Sequence, residues 1–257
     1  MSRIIELYRQ FRQQGVRPSS NDPLQRPSLY IPGLTAKPWH ETEQLEWVRR
    51  LEQAAPEIRA ELLRLDETRA EFVPYVDGIG PTPGGAAWGT RYIHDQGTWD
   101  TFYLEALGQP FARNQRLCPK TTEALHRVPR RTTSAMFSRL GPRTHIPAHC
   151  GPSNTVLRAH LGLVVPEGCE MRVGKETRSW QEERCLLFDD SFEHEVWNRS
   201  EESRVVLMFY VYHPDLTVTE IDHLEEIRKE LRVDEQTGFQ QLVDAMLAGK
   251  PILPKSP

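Results

Sequence analysis

At 257 residues, with 32 basic against 36 acidic side chains and a net charge of -4, the chain can bury a sizeable core in one domain and carries no electrostatic footprint for nucleic acid. No stretch approaches the roughly 18 consecutive apolar residues of a membrane span, and MSRIIELYRQFRQQG at the N-terminus lacks the apolar core and cleavage site of a signal peptide. Cys118, Cys150, Cys169 and Cys185 show no CxxC spacing and so indicate neither a zinc knot nor a disulfide framework, and a soluble cytoplasmic protein with no nucleic-acid or membrane partner is expected.

Ile4, Ile5, Leu7, Tyr8 and Phe11 fall near helical spacing and Gly15 closes the run, which predicts a short amphipathic helix. VRPSSNDPLQRPS then reads as irregular chain over the surface. Helical spacing returns between Glu41 and Phe72 through Leu45, Val48 and Leu51, and again through Ile58, Leu62 and Leu65, with Pro56 marking a kink or a fresh start. The glycines and prolines of PYVDGIGPTPGGAAWGT forbid regular structure, and GIGPTPGG is a candidate covering loop.

From Arg91 to Pro214 short apolar runs alternate with turn signals: TFYLEAL, SAMFSRL, TVLRAHLGLVV, CEMRV, RCLLF, EVW and RVVLMFYVY. Such runs fit a sandwich or barrel of antiparallel strands. Thr217, Thr219 and Glu220, followed by Ile221, Leu224, Ile227 and Leu231, predict a capped helix, and a last short helix is expected around Phe239 to Leu247. The expected fold is mainly β with flanking helices. Residues 1–90 would pack on the barrel, 91–214 would form it, and 215–257 would be a helical extension of the same globular unit. The terminal helices would cover the barrel ends or form a homodimer face.

Two histidines sit in conspicuous settings, His149 in THIPAHCGPSN and His194 in FDDSFEHEVWN. Between them lies TVLRAHLGL. Period-two alternation puts Leu157, Ala159, Leu161 and Leu163 on a core face, and Val156, Arg158, His160 and Gly162 on the other. An arginine and a histidine in so apolar a strand point to a polar interior cavity. In RVVLMFYVYH, Arg204 likewise shares a face with Val206, Met208 and Tyr210. Guanidinium groups match carboxylates, and neutral imidazole is the commonest nitrogen ligand of divalent transition metals. Together they point to Fe(II) with 2-oxoglutarate. Each residue alone has a plainer reading, as a hydrogen-bonded core histidine, a solvated arginine, or a turn at Asp189 and Asp190. It is the set that favours a site. A zinc hydrolase would need an HExxH context, which is absent.

HCGPSNTVLRAHLGLVVPEGCEMRV, RSWQEERCLLFDDSFEHEVWN and RVVLMFYVYHPDLT resemble the aspartyl/asparaginyl β-hydroxylase family of Fe(II)- and 2-oxoglutarate-dependent oxygenases. SLYIPGLTAKPWHE and GTWDTFYL extend the likeness, which covers roughly Ser28 to Thr217. The resemblance implies a double-stranded β-helix, a cupin-like jelly roll. It implies that His149 and His194 hold iron, with Gly151 where other oxygenases carry a carboxylate ligand. Asp190 would orient water on the metal, and Arg204 would hold the distal carboxylate of 2-oxoglutarate with help from Ser138. Arg158, His160 and Trp99 would complete the cosubstrate pocket. The implied reaction consumes 2-oxoglutarate and O2, releases succinate and CO2, and hydroxylates an unactivated C–H bond.

One position departs from the protein-hydroxylating relatives, where an arginine contacts the substrate carboxylate two residues before Arg158. Val156 stands there, so a free or carrier-bound amino acid, a peptide or a small natural product is the expected substrate. Hydroxylation of Asp or Asn in a protein domain, a non-catalytic metal-binding barrel and a scaffolding role are the alternatives.

Overall fold

The computed structural model describes residues 2–15, 17–67, 72–75, 97–106 and 108–234. GIGPTPGG and the segment from Phe239 to Leu247 lie outside them. Helix α1 (Arg3–Gln14) stops at Gly15, whose φ of 67° lets its N–H return to Phe11 O at 2.9 Å. Helix α2 (Glu46–Glu67) runs without interruption through Pro56, where a kink or a second helix was expected. The ring lies on the exposed face while Ala55 and Ile58 are fully buried. A helix wrapping a core is convex toward solvent, so its outer side has room for a proline.

Three short strands, β1 (Trp39–His40), β2 (Val73–Pro74) and β4 (Gln109–Pro110), accompany the longer β3 (Trp99–Ala106). Helices α3 (Ala112–Leu117) and α4 (Pro119–His126) follow, inside the stretch expected to hold strands alone. Pro119 starts α4, and Glu61 of α2 accepts from Lys120 N and Thr121 N at 2.8 and 2.9 Å, a carboxylate set at the positive end of the helix.

Eight strands then build the barrel: β5 (Arg131–Leu140), β6 (Thr144–His149), β7 (Val156–Val164), β8 (Cys169–Val173), β9 (Glu176–Ser179), β10 (Cys185–Phe188), β11 (His194–Asn198) and β12 (Arg204–Tyr212). Their pairing is nested: β8 with β9, β7 with β10, β6 with β11, and β5 with β12, all antiparallel. The region is thus one long hairpin whose tip is the turn between β8 and β9. Rolling it sends alternate pairs into opposite sheets, giving β10-β7-β12-β5 in one and β6-β11-β8-β9 in the other. That order is a double-stranded β-helix, or jelly roll. The first sheet is extended by β1 beyond β10 and by β3 and β2 beyond β5, so residues before 91 belong to it.

The period-two faces set the layers. Leu157, Ala159, Leu161 and Leu163 point outward and pack with Leu207 and Phe209 against Val48, Leu51, Ile58 and Leu62 of α2. The opposite face meets the second sheet, where Val206, Met208, Met136 and Phe188 pack against Ile146, Met171, Val173 and Val196. One barrel end is closed by α1 and by helix α5 (Val218–Asp234), with Ile4 and Leu224 buried beside Ile31, Leu34 and Leu216. An Arg3–Glu220 contact of 2.6 Å joins the two helices, and Thr217 and Glu220 form the reciprocal cap expected from the sequence. No described helix is long and apolar enough to cross a membrane.

Candidate metal centre

His149 ends β6 and His194 opens β11, and the register sets their Cα atoms directly opposite one another. The ring centroids are 4.1 Å apart. The two histidines meet side by side because they sit on the two arms of one hairpin layer. Each Nδ1 lies at hydrogen-bond distance from a carbonyl two residues earlier: His149 to Pro147 O at 2.7 Å, His194 to Phe192 O at 2.9 Å. A carbonyl only accepts, so both Nδ1 atoms carry the proton and both Nε2 atoms carry a lone pair. Burial is the main reason both rings stay neutral, with pKa values lowered to about 3; the neighbouring His194 adds to this for His149, and the Arg158 charge for His194. His194 Nε2 is buried and has no hydrogen-bond partner among the described residues.

Among the described residues no group of three or more His, Cys, Asp or Glu side chains could hold a metal ion. Gly151 shows why a third protein ligand cannot be placed two residues after His149. A Cβ there would lie 2.5–2.7 Å from the carboxyl atoms of Asp190, and Gly151 N already donates to Asp190 O at 2.6 Å. Asp190 is fully buried and ion-paired with Arg158 Nη2 at 2.7 Å. The space for a triad carboxylate is therefore filled from behind by Asp190. Gly151→Ala is expected to lower stability by about 1–3 kcal/mol through overpacking. Calorimetry would read this as a fall of roughly 2–4 °C per kcal/mol in a chain of this size.

Arg158 and Arg204, alike in sequence, differ in their surroundings. Arg158 is matched by Asp190 and lies over the Tyr210 ring at 4.9 Å. Arg204, 2 % exposed, faces no carboxylate among the described residues, and its Nε and Nη1 atoms are buried without hydrogen-bond partners. Burial lowers its pKa to about 10. A guanidinium withdrawn from water without a counter-ion is costly, and an incoming anion relieves that cost.

The other expected pocket residues lie on the same inner face. Register places Arg204 opposite Leu140, Val206 opposite Ser138, and Met208 opposite His160. Trp99 Nε1 donates to Ser138 Oγ at 3.0 Å, and its ring stacks on Tyr75 at 3.7 Å. His160 Nε2 is buried without a partner among the described residues.

Val156, expected to line the substrate space, packs instead at the closed barrel end with Ile31, Leu34 and Tyr212 and is only 8 % exposed. Alternation put it on the inner face, but its place at the start of β7 carries it under the N-terminal segment. That segment is more than surface chain. Arg26 N donates to Ser191 O, Glu193 N to Leu24 O, and Leu29 N to Pro152 O, so residues 24–29 strap both histidine-bearing loops. Asn154 completes the clasp, accepting from Ile31 N at 2.8 Å and donating to Ile31 O at 3.0 Å. The sequence marked neither this strap nor Trp180, a buried indole in an otherwise polar turn that touches both His160 and Arg204. A large aromatic in SWQEE was the available signal.

Two imidazole lone pairs side by side, with an unmatched guanidinium in the same interior, fit a divalent ion and an anionic oxo-acid. The sequence profile of the aspartyl/asparaginyl β-hydroxylase family matches residues 52–214. The ornithine lipid ester-linked acyl 2-hydroxylase of Rhizobium tropici is 39 % identical over 173 residues, 66 % of this chain and 58 % of that protein. The aspartyl/asparaginyl β-hydroxylase of Homo sapiens is 37 % identical over 203 residues, 74 % of this chain and 24 % of that one. Aspartate β-hydroxylase domain-containing protein 2 of Homo sapiens is 33 % identical over 234 residues, 86 % and 60 % of the two chains. The chain thus spans between about a quarter and three-fifths of these relatives. With well over half of its residues under the profile and the histidine pair inside it, the chain belongs to the aspartyl/asparaginyl β-hydroxylase family.

Proposed function

We propose that the protein is an Fe(II)- and 2-oxoglutarate-dependent dioxygenase that hydroxylates an unactivated C–H bond of an amino acid, a peptidyl residue or a small natural product. The observation that carries this reading is Arg204, a buried guanidinium with two unmatched donor atoms, in the same interior as two imidazoles that keep their Nε2 lone pairs. His149 and His194 would hold the iron, Arg204 the distal carboxylate of 2-oxoglutarate, and Ser138 would assist it. Iron, 2-oxoglutarate and O2 supply the oxidising power, with succinate and CO2 as co-products. The chain's own work is to bind and orient. The Pro147 and Phe192 carbonyls fix the ligand tautomers, Asp190 neutralises Arg158 and backs Gly151, and the apolar walls of Phe188 and Met208 exclude water.

The relatives named above act, by their names, on Asp or Asn residues and on a lipid acyl chain. Anaerobic titration of Fe(II)-loaded protein with 2-oxoglutarate, then succinate release on admitting O2 with amino acids, peptides, small natural products and folded domains, tests the reading. The expected result is 2-oxoglutarate binding and succinate release stimulated by one of the small substrates. Absence of 2-oxoglutarate binding would overturn the cosubstrate assignment. Stimulation confined to folded domains would overturn the substrate assignment in favour of protein Asp/Asn hydroxylation.

A further inference from the structure

We propose that Trp180 is a positioning residue that sets the tautomer of His160, so that His160 Nε2 presents a proton to the anion bound by Arg204. Trp180 lies between β9 and β10 and is 3 % exposed. Its Nε1–H is 3.2 Å from His160 Nδ1. An indole nitrogen only donates, so Nδ1 must accept, and the proton of a neutral imidazole then resides on Nε2. His160 is held neutral, first by burial and then by the charges of Arg204 and Arg158. Its Nε2–H is a donor with no partner among the described residues.

His149, His194 and His160 therefore divide by chemistry. His149 and His194 hold their protons on Nδ1 and turn lone pairs inward, as metal ligands require. His160 holds its proton on Nε2, as an anion requires and a metal forbids. The same indole also backs the arginine: Arg204 Cζ lies 4.5 Å from its ring centre. A cation on an aromatic face keeps its N–H edges free for in-plane acceptors. Trp180 thus aims two donors with one side chain, its edge acting on His160 and its face on Arg204.

The identity of the anion rests on the reading under Proposed function, whereas the tautomer does not, and the test separates the two. Long-range 1H–15N spectra of metal-free protein labelled at the imidazole nitrogens are expected to show His160 as Nε2–H, and His149 and His194 as Nδ1–H. Trp180→Phe keeps a ring beneath Arg204 and removes the donor. Its His160 is expected to become Nδ1–H or mixed, while the other two are unchanged. 2-Oxoglutarate binding to Mn(II)-loaded protein is expected to weaken about tenfold in Trp180→Phe. In a His160→Gln background the same change is expected to cost no more than about twofold, because an amide N–H donates whatever Trp180 does.

An equal loss in both backgrounds would overturn the proposal, since it would make Trp180 a packing residue only. His160 found as Nδ1–H in the unmodified protein would overturn it without any variant. Spectra as expected, with no 2-oxoglutarate binding by the unmodified protein, would support the tautomer assignment and overturn the cosubstrate instead.

Discussion

Arg204→Met is expected to raise the melting temperature of the metal-free protein while weakening 2-oxoglutarate binding by roughly 100-fold or more. The two effects have opposite signs because they share one cause. Without ligand, the guanidinium is 2 % exposed, faces no carboxylate among the described residues, and leaves Nε and Nη1 without partners. Replacing buried ionic groups by apolar ones of similar size often stabilises by about 1–4 kcal/mol. Methionine suits the site, being unbranched and able to lay its sulfur against the Trp180 ring that now backs the cation. With anion bound, two charge-assisted hydrogen bonds at about 1.5–3 kcal/mol each are forfeited. Scanning calorimetry and isothermal titration on the same preparation read both. A lower melting temperature would show that Arg204 is already satisfied in the free protein, and unchanged affinity would place the anion elsewhere.

That contrast was only half legible in the sequence. Alternation correctly put Arg158, His160 and Arg204 on inner faces, because side-chain parity along a strand is local and survives any tertiary arrangement. Parity does not say which arginine is already neutralised. That depends on Asp190, brought to Arg158 by the turn before β11, and no spacing rule ties position 158 to position 190. Nor does parity give depth, which is why Val156 was assigned to the right face and the wrong neighbourhood. The strands themselves were visible as apolar runs, but the nesting of β5 with β12 and β6 with β11 is a register between distant segments and leaves no local trace. Helices α3 and α4 were missed because six and eight residues are too few to establish a helical period. The strap at residues 24–29 read as irregular because its hydrogen bonds go to loops more than a hundred positions away.

His194→Ala and His149→Ala are expected to cost about the same in metal affinity and different amounts in stability. Apparent binding energies of structural zinc, about 10–16 kcal/mol over four ligands, give roughly 3 kcal/mol per nitrogen, or on the order of 100-fold in affinity for either loss. No further His, Cys, Asp or Glu stands among the described residues to make up a third protein ligand, so one imidazole would be left to grip the ion alone. The two sites differ in packing. His194 is 3 % exposed and sits against Phe188 with ring centres 6.1 Å apart, so its removal opens a hole inside the barrel. His149 lies at the rim, only partly buried, and its removal opens a notch that water can fill. Large-to-small changes in cores cost about 2–5 kcal/mol, and those at partly buried positions less. Metal-free His194→Ala should therefore melt several degrees below His149→Ala, while both bind Fe(II) or Mn(II) too weakly to support succinate release. Retention of full metal affinity by either variant would remove that histidine from the ligand set. Equal melting temperatures would show that His149 is packed as deeply as His194, and the open side of the site, where a substrate would approach, would then have to be sought away from His149.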